Sequence, residues 1–108
     1  MSRIAADGET PCAPHLIDVE VAYALRRQAK LRQLTSERAV QALSDLAAFP
    51  LDRYPHTALL PRAWELRDNI TTYDAVYVAL AETLDAPLIT YDQKLFRTSG
   101  HKARIEVI

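Results

Sequence analysis

Residues 71–84 constrain this chain more than any other stretch. They read Thr71-Thr72-Tyr73-Asp74-Ala75-Val76-Tyr77-Val78-Ala79-Leu80-Ala81-Glu82-Thr83-Leu84. At helical spacing Tyr73, Tyr77, Leu80 and Leu84 share one side, and Val76 and Ala79 extend the apolar surface round another. A helix with so little polar surface belongs in an interior. Its first two turns carry a single charge, Asp74. Residues 87–92 follow, Pro87-Leu88-Ile89-Thr90-Tyr91-Asp92, an apolar run of strand length that ends in a second acid. Buried helix, tight connection, buried strand and terminal Asp together describe an α/β unit. Two carboxylates then lie near one edge of a parallel sheet, the edge where open α/β folds bind ligands.

The rest of the chain fits that scheme. Residues 1–10 show no clear period, and Ala5-Ala6-Asp7-Gly8 reads as a helix end followed by a turn. Thr10 to Ala13 suits a very short strand. Pro14 suits the first position of a helix reaching about Leu34, since a missing N–H costs nothing there. Thr35 or Ser36 caps a further helix, striped by Ala39, Val40, Leu43, Leu46 and Ala47 and stopped at Phe49-Pro50. Leu51 to His56 reads as a strand, with Pro55 placing its end at an edge or in a loop. Pro61 opens a helix containing Ala63, Trp64 and Leu66. Asp92 to Phe96 starts one more helical turn, broken at Gly100, and Ile105 to Ile108 closes the chain as a strand. Helices thus alternate with short strands, predicting an α/β fold with a parallel sheet of three or four strands. With 108 residues and no linker, one domain over residues 1–108 is expected.

Bulk properties exclude some functions. The formal net charge is -1, so the chain does not hold nucleic acid by overall positive charge, and any such contact is local. The basic run Arg26, Arg27, Lys30 and Arg32 reads first as a solvated helix face. Cys12 is the only cysteine, which fits a reducing compartment, and no apolar run approaches a membrane span; a cytoplasmic protein is expected. His15, His56 and His101 are scattered, no Cys/His cluster suits zinc, and no glycine-rich phosphate loop is present. Trp64 and the tyrosines are expected in the core rather than as platforms for nucleobases.

Three acids stand in unusual settings. Glu20 falls in a helix face with Leu16, Ile17, Tyr23, Ala24 and Arg27, where an uncompensated carboxylate costs free energy; an ion pair with Arg27 is the plainer explanation. Asp74 lies three residues after Thr71, as in a capping box, and Asp92 can cap a helix starting at Gln93. The alternative is that Glu20, Asp74 and Asp92 converge. Clustered carboxylates raise one another's pKa, and a hard divalent cation relieves the repulsion. Such a centre suits phosphodiester hydrolysis.

Residues 13–21 (Ala13-Pro14-His15-Leu16-Ile17-Asp18-Val19-Glu20-Val21), residues 69–81 and residues 88–92 resemble, in this order, the motifs of PIN-domain ribonucleases. The nearest type is the VapC toxin of bacterial toxin–antitoxin pairs, and the likeness extends to Tyr54-Pro55-His56 and to residues 60–67. The resemblance implies a three-layer α/β fold and an endoribonuclease dependent on Mg²⁺ or Mn²⁺. It also implies a homodimer, a cognate antitoxin as partner, RNA as substrate and no membrane. It makes Glu20, Asp74 and Asp92 the catalytic, metal-binding acids, with Asn69 and Thr90 as supporting polar groups and Thr71 as the cap that orients Asp74. The family pattern begins with a strand ending in an Asp, for which these residues offer no counterpart. Asp7 lies in the wrong place to substitute. The domain is therefore expected to be N-terminally truncated and weak or silent in catalysis. The alternative function is a catalytically inactive toxin-like domain that binds an antitoxin or a dimer partner. A phosphate-accepting receiver fits poorly, because the early acid pair is missing and Lys94 is badly placed.

Overall fold

The structure is a computed structural model and describes residues 2–6 and 8–108. Contacts divide the chain into two compact units, residues 1–15 with 51–108 and residues 16–50.

The first unit carries a five-stranded sheet. Its strands are β1 (Arg3–Ile4), β2 (Cys12–Pro14), β3 (Asp52–Tyr54), β4 (Leu88–Thr90) and β5 (Ile105–Val107), in spatial order β3-β2-β1-β4-β5. β2 pairs parallel with β3, from Cys12 opposite Asp52 to Pro14 opposite Tyr54. β4 pairs parallel with β5, from Leu88 opposite Ile105 to Thr90 opposite Val107. β1 runs against both inner neighbours, with Ile4 opposite Cys12 on one side and Leu88 on the other. β2 and β4 therefore run the same way, and the carboxyl ends of four strands share one edge.

That edge positions the site. Helix α4 (Thr72–Leu84) packs on β1, β2 and β4 and on α3 (Leu60–Glu65). Every residue from Ala75 to Ala81 is buried, as the uniformly apolar sequence requires. Burial of its larger side chains, such as Val78 and Leu80, contributes about 1.5–3 kcal/mol each. Asp85 ends the helix in the left-handed region, at φ 48°. A one-turn helix, α5 (Gln93–Phe96), follows β4 and buries Leu95. Ile4, Ala13 and Leu88 complete the core beneath α4.

The second unit is a helical hairpin of α1 (Leu16–Lys30) and α2 (Ser36–Ala48). Thr35 caps α2 by accepting the Arg38 N–H at 3.1 Å. α2 has no buried residue.

Several expectations need correction. The sheet has five strands and is mixed, because Arg3 and Ile4 form a strand that was not expected; Ala5 and Ala6, read as a helix end, lie outside any helix, and Asp7, part of that expected turn, lies outside the described residues. Ile4 is fully buried, and tertiary pairing overrides the weak local signal of Ala5-Ala6. Pro14 ends β2 instead of opening α1: its lack of an N–H is tolerated at a strand end as well as at a helix start. Tyr77 is buried, but Tyr23, Tyr73, Tyr91 and Trp64 are exposed, so the aromatic side chains are not a common core.

Candidate active site

Asp74 enters the site through its helix cap. Thr71, with φ -62° and ψ 153°, is the N-cap of α4. Its hydroxyl accepts the Asp74 N–H at 3.4 Å and donates to the Asp74 carboxylate at 3.3 Å. The cap expected from sequence is present and fixes the direction of the acid. Burial pushes the Asp74 carboxyl above the usual carboxylate range; the Thr71 hydrogen bond opposes this, and the charge of Asp92 adds to it. The carboxylate at the start of α4 therefore feels the charge at the end of β4.

Asp92 is held from both sides. Its side chain accepts the Lys94 N–H at 2.8 Å and caps α5. Its own N–H donates to Thr90 Oγ1 at 3.1 Å. Thr90 is the buried polar residue of β4, and its hydroxyl lies 3.0 Å from Ser2 Oγ. The buried threonine thus ties the turn carrying Asp92 to the end of the strand and to the residue just before β1. Sequence reasoning missed Ser2, because its place beside Thr90 depends on β1 lying against β4.

Asn69 is tied to the segment after α5. Its Nδ2 donates to the Ser99 carbonyl at 3.1 Å. The next residue, Gly100, has φ 91°, and a Cβ there would stand 2.9 Å from Asn69 Nδ2. Asn69 therefore secures the turn after α5. Glu20 lies in the second turn of α1, in the second unit, and is partly exposed. Ile17, one turn before it, is buried, whereas Tyr23 on the same face is exposed. Among the described residues, no three Asp, Glu, His or Cys side chains are grouped so as to hold a metal ion.

The sheet edge, the buried helix above it and the opposed acids define an α/β protein with an acidic site at the carboxyl ends of its strands. The chain belongs to the PIN domain family, whose model matches residues 2–101. Within that family it is similar to VapC ribonucleases. It is 44% identical over 97 residues to Ribonuclease VapC1 of Mycobacterium tuberculosis (strain ATCC 25618 / H37Rv), covering 89% of this chain and 73% of the relative. Ribonuclease VapC12 of the same strain is 43% identical over 102 residues, covering 94% and 78%. VapC ribonuclease Mb0985 of Mycobacterium bovis is 41% identical over 95 residues, covering 88% and 75%. No helix among the described residues is long and apolar enough to cross a membrane.

Proposed function

We propose that this chain is a metal-dependent endoribonuclease toxin of a toxin–antitoxin pair, with Glu20, Asp74 and Asp92 as its catalytic, metal-binding acids. The observation that carries this reading is the placement of two carboxylates at the carboxyl edge of the sheet, Asp74 fixed by Thr71 at the start of α4 and Asp92 capping α5 directly after β4. Two carboxylates at one sheet edge are an oxygen donor set suited to a hard divalent cation, which relieves their repulsion. Mg²⁺ is ordinarily held by one or two carboxylates, waters and substrate phosphates rather than by a full protein cage. The Asp74–Asp92 pair is therefore a sufficient nucleus, with Glu20 as the third acid. Similarity to named ribonucleases supplies the substrate class.

When bound, the ion supplies positive charge to a developing oxyanion and a more acidic water. The protein's part is orientation. Thr71 aims the Asp74 carboxylate through its hydroxyl, and Thr90 holds the backbone at Asp92. Asn69 steadies the turn at Ser99. The family match across residues 2–101 supports reading residues 1–108 as one domain.

Purified protein with Mn²⁺ or Mg²⁺ is expected to cleave RNA only weakly. Asp74→Asn and Asp92→Asn are each expected to lower cleavage on the order of 100-fold or more, the scale of losing a charge-stabilising group at a catalytic centre. Cleavage indifferent to both changes rules the site out.

A second reading, binding of an antitoxin or a dimer partner without chemistry, draws on the helical hairpin. Val19, Tyr23, Val40 and Leu43 are exposed there, and exposed apolar side chains in number mark interaction surfaces. Capture of a cognate antitoxin by a protein that leaves RNA intact favours this reading over the first.

A further inference from the structure

His101 stands where the chain leaves the turn after α5 and heads into β5. From residue 101 to 108 covered and exposed positions alternate, so the extended course of β5 begins ahead of its ladder with β4. β5 lies at the end of the sheet, beside β4. As the two strands come together, the Leu88 N–H reaches the Arg104 carbonyl at 2.8 Å. Just before that point, both nitrogens of the half-buried His101 ring are engaged. Nδ1 accepts the Ala103 N–H at 3.1 Å, and Nε2 lies 3.2 Å from Thr98 Oγ1. The Thr98 hydroxyl donates to the Leu95 carbonyl at 2.6 Å, and a carbonyl only accepts, so the hydroxyl proton is committed there. These bonds admit one protonation state of the ring. The amide N–H needs a bare Nδ1, and the committed hydroxyl needs a proton on Nε2.

We propose that His101 is a pH-sensitive latch on β5: the neutral ring, protonated at Nε2, fastens the entry to the strand, and gain of a second proton releases it. Imidazole is the side chain whose charge ordinarily changes between about pH 5 and 8. A proton added at Nδ1 points at the Ala103 N–H, and two donors cannot share that bond. The surrounding charges decide where the released ring turns. From α4 comes Glu82, which already interacts electrostatically with His101. The same carboxylate accepts the Lys102 N–H at 2.7 Å. It is also held by Arg62 of α3, which bonds the Gly100 carbonyl as well. Lys102 and Arg104 are the segment's own cations, and Arg104 pairs with Asp85 at 3.3 Å. The turn after α5 presents the Thr98 hydroxyl. An imidazolium therefore exchanges the Ala103 N–H for the Glu82 carboxylate and competes there with Lys102. Its protonation loosens the lead into β5 while the buried helix α4 stays closed. The latch does not depend on the acids at the carboxyl edge of the sheet.

The test uses the full chain, isotope-labelled for NMR, followed through a pH titration. Proton–nitrogen correlations of the His101 ring are expected to show the Nε2–H tautomer while the ring is neutral. Amide hydrogen exchange then reads the latch. As pH falls, the protection factor of the Ala103 amide is expected to drop about three- to tenfold, the scale of one net hydrogen bond. The drop should follow protonation of the His101 ring, and protection of Val78 in α4 should not share it. His15→Gln is expected to keep the step. His101→Phe is expected to remove it, leaving Ala103 weakly protected at every pH. The wild-type tautomer and exchange profile decide the matter even where His101→Phe fails to fold. The Nδ1–H tautomer, an Ala103 amide unprotected while the ring is neutral, protection indifferent to the ring's charge, or a step that survives in His101→Phe each overturn the proposal.

Discussion

Arg62 on α3 grips Glu82 on α4 with two bonds, Nε to Oε1 at 2.8 Å and Nη2 to Oε2 at 3.0 Å. The same carboxylate accepts the Lys102 N–H at 2.7 Å, and Arg62 also donates to the Gly100 carbonyl at 3.2 Å. One planar ion pair thus connects both helices to the segment between α5 and β5. Bidentate geometry of this kind adds direction as well as energy.

Breaking that pair is expected to loosen the segment as well as lower stability. Arg62 holds the Glu82 carboxyl below its usual range, against the opposing effect of burial, with Lys102 assisting. A lowered folded-state pKa means that the stabilisation is present above the unfolded-state pKa and lost as pH falls through the folded-state value. Glu82→Gln should cost about 1–3 kcal/mol in urea unfolding at neutral pH. The difference from wild type should shrink in acid below the ordinary glutamate range. A difference that stays constant below that range would show that charge is not the cause.

Asp74 has the opposite sign. Its pKa is raised by burial first, against the Thr71 hydrogen bond, and by Asp92. The folded state then binds the proton more tightly than the unfolded state. Its contribution is most favourable below the unfolded-state pKa and is lost as pH rises through the folded-state value. Asp74→Asn is therefore expected to raise the Tm of metal-free protein at pH 7 by a few degrees. The gain should vanish as the pH drops below the ordinary aspartate range. Added Mn²⁺ should stabilise the wild type and leave the variant unmoved, since only the former holds the ion. A Tm lowered at pH 7 by the substitution sinks this account.

Leu80 tests the central helix. It is 2% exposed and sits among the unbroken buried residues of α4. Leu80→Ala should cost about 2–5 kcal/mol in chemical denaturation, the range for a buried leucine truncation. Leu43→Ala, at an exposed position on α2, should cost less than about 1 kcal/mol. Comparable losses at both positions would contradict the burial described for the two helices.

Gly100 tests the turn secured by Asn69. Its φ of 91° disfavours any side chain, and a Cβ would press on Asn69 Nδ2 at 2.9 Å. Gly100→Ala is expected to destabilise by about 1–3 kcal/mol. Because the close contact is with a movable side-chain amide, Asn69→Ala in the same chain should recover part of the loss. A double variant no more stable than the single one would assign the whole effect to the backbone.

Local chemistry made much of this legible beforehand. The continuous apolar surface of residues 71–84 required an interior helix, and α4 is buried from Ala75 to Ala81. Thr71 and Asp92 announced their caps, because capping involves neighbours a few residues apart. Leu88, Ile89 and Thr90 gave a buried strand in its expected place. The roles of Glu20, Asp74 and Asp92 as metal ligands came from resemblance and stand as the proposal tested above.

Contacts between distant segments could not be read in the same way. A two-residue strand such as Arg3–Ile4 has no period to detect, and its antiparallel course is decided by pairing with β2 and β4. Ser2 meets Thr90 across 88 positions of sequence for the same reason. Tyr73 and Tyr77 look alike in a helical pattern, yet only the second is covered. Sequence alone determined the main helical segments, the caps at Thr71 and Asp92 and which helix is interior, since these follow from hydrogen bonds and hydrophobic spacing over a few residues. Tertiary structure decided the strand order, the burial that raises the Asp74 pKa and the exposure of Tyr73 and Tyr91, because each depends on which remote surfaces exclude water from one another.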